Sequence, residues 1–190
     1  MIQLRVATPQ DAAACAAIYA PYVTGTVITF ETELPKAADF ADRIGKVGAQ
    51  YPWLIAADGD TVFGYAYAGP HNPRPAYRWS VDVAIYLAST AHRRGIGRRL
   101  YQALLALLLR QGYYNAYGRI TVPNDASIGL HEALGFERVG YLRRAGYKLG
   151  GWYDVGFWEL LMRESAAEPG EPIAFADLPP AEVREMLEAS

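Results

Sequence analysis

The stretch Val81–Gly97, VDVAIYLASTAHRRGIG, constrains the fold more than any other part of the chain. Apolar residues alternate along its first half, and Ile85–Leu87 is apolar on both faces, so we expect a buried strand. The basic, glycine-containing loop His92–Gly97 follows and leads into a long helix, Arg98–Gln111, which ends at Gly112. A strand, a loop and a helix in this order form a crossover unit that predicts a parallel pair of strands.

The loop between this strand and this helix predicts a site for an anion. A helix N-terminus presents free N–H groups and the positive end of the helix dipole. Gly95 and Gly97 let the backbone approach an anion closely. The alternative is a solvated basic cluster at a helix end. The chain has no GxxxxGK[ST] and no GxGxxG after an early strand, which argues against P-loop and Rossmann nucleotide sites. Four arginines surround the loop: Arg93, Arg94, Arg98 and Arg99.

Composition limits the class of protein. The 190 residues suggest one compact domain, and the net charge of −2 makes the arginine cluster a local feature, which argues against general nucleic-acid binding. The single cysteine, Cys15, rules out an internal disulfide and a cysteine metal cluster. The N-terminus lacks the apolar run of a signal peptide, and the longest apolar run, Ala103–Leu109, is too short to cross a bilayer. We therefore expect a cytoplasmic protein without a membrane segment.

Periodicity and turn residues predict the other elements. Further strands are expected over 2–7, 53–57, 61–68, 116–122, 136–147 and 152–161, and further helices over 9–19, 35–47, 124–134 and 181–189. This order indicates an α+β fold with a mostly antiparallel mixed sheet of about seven strands, flanked by about four helices.

Polar side chains form a stripe on the short helix after residue 123. Asn124, Ser127 and His131 are spaced i, i+3 and i+7, so they share one face. Asparagine can bridge the amide groups of an extended cofactor, and histidine can exchange a proton near neutral pH. The alternative is that Asn124 only caps the helix and His131 lies on the surface.

The segment Pro21–Leu34, PYVTGTVITFETEL, is aromatic, rich in threonine and without a steady period. This composition suits a loop that lines a pocket, and Phe30 and Glu31 are its candidate binding residues. The alternative is a surface connection in which Phe30 fills the core.

Together these residues resemble the GCN5-related N-acetyltransferase (GNAT) superfamily. Its loop pattern is [Q/R]xxGxG/A, and the corresponding stretch here is HRRGIG at 92–97. Its next helix often reads NxxSxxLYxxxGF, and the corresponding stretch is NDASIGLHEALGF at 124–136. Within the superfamily the chain resembles phosphinothricin and methionine sulfone or sulfoximine N-acetyltransferases, through stretches such as TFETEL (29–34), RPAYRWSVDVAIYL (74–87) and RRAGYKLGGWYDVGFWEL (143–160). We therefore expect a GNAT domain over 1–162 and a C-terminal tail over 163–190 with a short helix.

The resemblance implies acetyl-CoA as co-substrate and no metal. The pyrophosphate would bind the loop amides, and the pantetheine arm would pair with the central strand, where the sheet should splay between 81–87 and 116–122. Asn124 would hold the arm from the other side. The implied cofactor-binding residues are Ile85, Tyr86, Leu87, Arg93, Arg94, Gly95, Ile96, Gly97, Arg98 and Asn124.

The resemblance also implies the catalytic groups. Asp82 stands where the family usually has its proposed general base, a glutamate, and is one methylene shorter, so it would act directly or through a water. His131 stands where many members have a tyrosine acid, and it would either protonate the leaving thiolate or help to deprotonate the amine. The loop begins with His92 instead of Gln or Arg, which changes one side-chain contact. The chain offers no covalent nucleophile, so direct transfer in a ternary complex is the hypothesis.

Arg74 matches an arginine of the methionine-sulfone branch and could pair with a carboxylate, and Phe30, Glu31 and Tyr77 would line the substrate pocket. The expected activity is acetylation of the amine of a small amino-acid analogue. The alternatives are another amine (a polyamine, an aminoglycoside or a protein N-terminus) and a non-catalytic acyl-CoA-binding module. The resemblance further implies a homodimer, and nothing suggests a nucleic-acid or membrane partner.

Overall fold

The computed structural model describes residues 1–190 and contains one sheet of seven strands. The strands are β1 (Gln3–Val6), β2 (Trp53–Asp58), β3 (Thr61–Pro70), β4 (Ser80–Leu87), β5 (Asn115–Val122), β6 (Glu137–Lys148) and β7 (Gly151–Leu161). The helices are α1 (Ala12–Gly25), α2 (Ala37–Gly48), α3 (Ile96–Gln111), α4 (Asp125–Glu132) and α5 (Pro180–Glu188). None of these helices combines the length and the apolar character needed to cross a lipid bilayer.

The strands lie in the order β1-β2-β3-β4-β5-β7-β6, and only the β4–β5 pair is parallel. This arrangement confirms the predicted α+β fold with a mostly antiparallel mixed sheet. The β4–β5 pairing covers only Ser80–Asp82 against 115–117. Beyond Asp82 the two strands separate, which confirms the predicted splay at the centre of the sheet.

Helices cover both faces of the sheet. On one face, α3 buries Leu100, Leu104 and Leu107 in a core cluster that also contains Val81 and Val83 of β4. On the other face, α1 and α2 pack over β2 and β3. Because side chains alternate along a strand, Asp82, Ala84 and Tyr86 point toward this second face.

The end of α3 follows directly from its sequence. Gly112 adopts a φ of +99°, and its N–H donates to the carbonyl oxygens of Leu108 and Leu109, which would otherwise lack partners. The chain then turns into β5, so the position of this glycine determines where the parallel partner of β4 begins.

The segment after residue 162 packs back onto the rest of the molecule. Phe175, Leu178, Val183 and Leu187 are buried in the same core cluster as α3, and α5 also contacts β1. The Arg99 guanidinium donates to the carbonyl oxygens of Ile2 and Ser190. Arg99 therefore joins the two ends of the chain, and its predicted place beside the anion loop is wrong.

Candidate active site

The side of β4 that faces the splay carries unpaired backbone groups. The N–H of Ala88 donates to the carbonyl oxygen of Phe63 on β3 at 2.8 Å. Backbone N–H and C=O groups of successive residues point alternately to the two sides of a strand. Ile85 and Leu87 therefore direct their N–H and C=O groups into the splay, whereas those of Tyr86 turn toward β3. The Tyr22 hydroxyl donates to the Leu87 carbonyl at 2.6 Å. An extended polar ligand could pair with this edge as an added strand would.

A small cavity of about 60 Å³ lies where β4 and β5 separate. It brings together four predicted site residues, Ile85, Tyr86, Asn124 and His131. Asn124 caps α4, because its Oδ1 accepts a hydrogen bond from the Ser127 N–H at 3.2 Å. A larger cavity, about 720 Å³, lies between β1 and α5 and is lined by none of the predicted site residues.

His131 is buried between α4 and α3, with 2% of its surface exposed, so the alternative of a surface histidine is wrong. Its Nδ1 lies 2.8 Å from the Ser127 carbonyl oxygen, which can only accept, so Nδ1 carries the proton. Nε2 then accepts from the Tyr101 hydroxyl at 3.2 Å. Burial lowers the pKa of His131, although the Ser127 carbonyl opposes the shift, so the imidazole is neutral near pH 7.

Asp82 is the last residue of β4 that pairs with β5, and its carboxylate is bound by two side chains. Its Oδ1 is 2.6 Å from Nδ1 of His71, and its Oδ2 contacts Nη2 of Arg119. Arg119 also donates to the His71 carbonyl at 3.4 Å, and the His71 ring stacks on Tyr117 with centroids 4.2 Å apart. These four residues, Asp82, His71, Arg119 and Tyr117, form the Asp82 cluster.

The two glycines of the anion loop have different roles. Gly95 precedes α3 with a φ of +74°, and a Cβ there would meet nothing within 4 Å, so this backbone is open to a ligand. A Cβ on Gly97 would lie 3.2 Å from Cδ1 of Leu87 and 3.4 Å from Cδ2 of Leu130. Gly97 thus also permits close packing of α3 on β4, and its place in the anion site stays a prediction.

Three arginines remain at the loop. Arg93, Arg94 and Arg98 are exposed, and Arg94 lies over the ring of Phe63, 5.0 Å from its centroid. Ile96 is buried in the core and fixes the first turn of α3. The loop therefore offers positive charge and free helix N–H groups on the same side.

Phe30 lies on the surface and not in the core. It is 36% exposed, and its ring covers Gly146 of β6, where a Cβ would lie 2.2 Å from the ring. The buried Lys148 holds the same loop, because its Nζ donates to the Thr29 carbonyl at 2.7 Å. The loop after α1 is therefore attached to the β6–β7 hairpin at two points.

Glu31 does not project freely into a pocket. Arg43 of α2 donates two hydrogen bonds to its carboxylate, at 2.9 and 3.1 Å. Burial raises the pKa of Tyr67 on β3 to about 12, and the charges of Glu31 and Asp82 add to this rise while Arg43 opposes it. Both carboxylates therefore lie within electrostatic reach of one hydroxyl on this face of the sheet.

Arg74 and Tyr77 lie on the connection between β3 and β4. Arg74 is exposed, and its guanidinium forms no hydrogen bond or ion pair within the chain. Tyr77 is 43% exposed, with its ring centroid 5.8 Å from that of His71. Both side chains are available to a molecule that approaches the Asp82 cluster.

The sequence interpretation missed His71, Arg119 and Tyr101. Alternation along β5, in parallel with β4, would have placed Tyr117 and Arg119 on the face of Asp82. His71 has a weaker signal: Gly69 opposes Asp82 across the β3–β4 pair, so the residues just after Gly69 pass near the acid. Tyr101 gave no signal apart from its place on the apolar helix.

Comparisons with known proteins agree with this geometry. A family model described as "Acetyltransferase (GNAT) domain" matches residues 4–156. The phosphinothricin N-acetyltransferase of Streptomyces viridochromogenes is 41% identical over 83% of this chain and 86% of its own length. The L-methionine sulfoximine/L-methionine sulfone acetyltransferase of Pseudomonas paraeruginosa is 36% identical over 63% of this chain and 70% of its own.

A solved structure of an acetyltransferase is also similar to this chain. The GNAT phosphinothricin acetyltransferase of Sinorhizobium meliloti, in complex with acetyl-CoA, has a TM-score of 0.86 and 34% identity, covering 93% of this chain and 97% of its own. The residues matched by the family model, 4–156, include β4, the loop before α3 and β5. This chain therefore belongs to the GNAT family of acetyltransferases.

Proposed function

We propose that this protein transfers the acetyl group of acetyl-CoA to the amine of a small amino-acid analogue such as phosphinothricin, methionine sulfone or methionine sulfoximine. One observation carries the proposal. The β4–β5 pairing ends at Asp82, so the edge of β4 that would bind the donor begins directly after this acidic residue. The names of the relatives support the choice of acceptor.

The residues along the splay fit acetyl-CoA. Its pantetheine arm carries amides that can pair with the N–H and C=O groups of Ile85 and with the N–H of Leu87, whose carbonyl already accepts from Tyr22. Asn124 keeps its amide N–H donors available while its Oδ1 caps α4. The loop at Gly95, with Arg93, Arg94 and Arg98, suits a pyrophosphate. When bound, acetyl-CoA supplies an activated acyl group, and the protein has only to position the amine and manage its protons.

Two side chains are proposed to handle protons. Asp82 would promote loss of a proton from the incoming ammonium, because only the neutral amine has the lone pair that attacks the acetyl carbon. His131 is neutral with its proton on Nδ1, which favours a role as proton acceptor at Nε2, through Tyr101. We propose direct transfer from donor to amine, with both substrates bound together.

The proposed acceptor site lies beside the Asp82 cluster. Arg74 would pair with the carboxylate of an amino-acid analogue, because its guanidinium is exposed and without a partner in the chain. Tyr77 and Phe30 would form walls. Glu31 would contribute through its ion pair with Arg43, which fixes the loop that carries Phe30.

The test is release of the CoA thiol, measured with phosphinothricin, methionine sulfone, methionine sulfoximine, a polyamine, an aminoglycoside and a peptide with a free N-terminus. We expect turnover on one of the first three, strongly reduced by Asp82→Ala and by His131→Ala. Arg74→Ala should raise KM for the amino-acid analogue and leave KM for acetyl-CoA unchanged.

Other outcomes would redirect the proposal. Turnover confined to the polyamine, the aminoglycoside or the peptide would assign a different acceptor. Acetyl-CoA binding without turnover on any amine would indicate a binding module. If phosphinothricin is the best acceptor, expression in the cytoplasm of a sensitive bacterium should confer resistance to this herbicide.

We further propose that the protein is a homodimer through its last two strands. The edge strand β6 and its turn into β7 expose large apolar side chains, including Tyr141, Leu142 and Trp152, at 46, 52 and 62%. Leu142→Lys should yield a monomer in sedimentation experiments. Leu109→Lys, at an exposed apolar position on α3, is the matched control and should leave the assembly unchanged.

A further inference from the structure

We propose that His71, held by Asp82, is the group that takes the proton from the substrate amine. The structure shows an acid and an imidazole in contact, Oδ1 to Nδ1 at 2.6 Å, beside the proposed acceptor site. His71 is then a catalytic residue, and Asp82 is a positioning residue that acts through it. This inference rests on the proposed function and specifies its proton-transfer step.

The carboxylate of Asp82 is poorly placed to receive a further proton donor. One oxygen is bound by the His71 imidazole and the other by the Arg119 guanidinium. A substrate ammonium would have to share an oxygen with one of these two groups. The carboxylate is also one methylene shorter than the family's glutamate, so it reaches less far from β4.

The free nitrogen of His71 is better placed. A carboxylate only accepts hydrogen bonds, so the neutral imidazole carries its proton on Nδ1 and leaves a lone pair on Nε2. Nε2 forms no hydrogen bond within the chain, and 21% of the His71 side chain is exposed. The imidazole therefore extends the reach of the acid by the width of a ring and ends in a basic atom without a partner in the chain.

Neighbouring groups hold this ring in place. The phenol of Tyr117 stacks on it at 4.2 Å, and the Tyr117 hydroxyl donates to Glu159 at 2.6 Å, which fixes the stacking surface. Arg119 donates to the His71 carbonyl, and Tyr77 lies on the outer side with ring centroids 5.8 Å apart. The charged and titratable groups that face His71 are thus those of Asp82, Arg119, Tyr117 and Tyr77.

The proposed step balances in protons and electrons. His71 Nε2 accepts one proton from the substrate ammonium, and the resulting imidazolium is paired with the Asp82 carboxylate. The freed lone pair of the amine forms the N–C bond to the acetyl carbon as the C–S bond breaks. The second amine proton ends on the sulfur as the CoA thiol, and His71 returns its proton to water.

The first test compares variants of the two residues. His71→Asn retains an N–H near the position of Nδ1 but has no base. It should lower kcat by about 10²–10⁴-fold, with KM for acetyl-CoA unchanged. Imidazole added to His71→Ala should restore activity. Pro73→Ala, an exposed change on the same loop, should behave as the wild type.

The second test does not need turnover. The chain has only three histidines, so ¹⁵N-histidine NMR can resolve each ring. Neutral His71 should carry its proton on Nδ1, and Asp82→Asn should mix the tautomers. A proton on Nε2 in the wild type would overturn the inference, as would wild-type kcat in His71→Asn. Absence of turnover by the wild type on every amine would instead overturn the proposed function as well.

Discussion

The imidazole of His131 lies directly against the backbone of Gly118, so that a Cβ atom at residue 118 would be 2.6 Å from its Nε2. Real Cβ atoms do not approach a neighbour this closely, and the ring is confined by Tyr101 and Phe136, with centroids 5.1 and 5.0 Å away. The tight contact between β5 and α4 therefore determines where the ring can lie.

Gly118→Ala should displace His131 without changing it chemically. We expect a loss of about 1–3 kcal/mol in the free energy of unfolding, since the added methyl group overpacks a buried site. Activity should also fall, because the displaced ring would lose its hydrogen bond to Tyr101. Gly129→Ala on α4 is the control: a Cβ there meets nothing within 4 Å, and it should stabilise the helix by up to about 1 kcal/mol. Equal losses of unfolding free energy in the two variants, measured by urea unfolding, would contradict the prediction.

The buried His131 should make stability depend on pH. Burial lowers its pKa in the folded state, so below the unfolded value of about 6.5 the unfolded chain binds the extra proton. The contribution to stability is therefore fully present above that pH and is lost as the pH falls toward the folded pKa. Urea unfolding of the wild type and His131→Gln at several pH values measures this. If the unfolding free energies of the two proteins change with pH in parallel, His131 is not the source of the pH dependence.

Much of the fold could be predicted because it depends on local patterns. The alternation in β4, the glycine after α3 and the parallel crossover together predict the splayed sheet, and alternation also predicts that Asp82 points away from Val81 and Val83. The i, i+3, i+7 spacing of Asn124, Ser127 and His131 predicts a shared face of α4. It does not predict which face meets the sheet, so it left open whether His131 is exposed or buried.

The Asp82 cluster could not be predicted because it depends on contacts between distant segments. His71 reaches Asp82 only through the path of a proline-rich connection, and Arg119 reaches it only through the parallel register with β5. The different roles of Gly95 and Gly97 are similarly hidden, because both stand in one short motif and only the packing of α3 distinguishes them.

Gly97 should be more sensitive to substitution than its position in a loop motif suggests. In Gly97→Ala the new methyl group would press on the side-chain ends of Leu87 and Leu130, which would have to shift by a few tenths of an ångström beside the donor-binding edge of β4. We expect a loss of about 1–3 kcal/mol in unfolding free energy and weaker acetyl-CoA binding, measured by calorimetry. Gly95→Ala has free space and should cost only the strain of a positive φ, about 1–2 kcal/mol. A milder effect at Gly97 than at Gly95 would count against this packing argument.

Lys148 should couple the hairpin to the acceptor site. Lys148→Met removes the hydrogen bond to the Thr29 carbonyl and leaves that buried oxygen without a partner, which should cost about 1–3 kcal/mol. The loop that carries Phe30 and Glu31 would loosen, so KM for the amine should rise more than KM for acetyl-CoA. Steady-state kinetics with each substrate varied in turn test this. Lys46→Met, at a side chain 81% exposed, is the control and should change neither constant.

The C-terminal helix should be required for stability, although the family resemblance ends before it. Leu187 is 6% exposed and lies in the same apolar cluster as Leu104 and Leu107 of α3. Leu187→Ala should lower the free energy of unfolding by about 2–5 kcal/mol, because it removes buried methyl groups and leaves a cavity. Glu188→Ala, at the next, exposed residue, should have little effect. Urea unfolding compares the two. If both variants unfold at the wild-type midpoint, α5 contributes nothing to the stability of the sheet and α3, and the segment after residue 162 is then a separable tail.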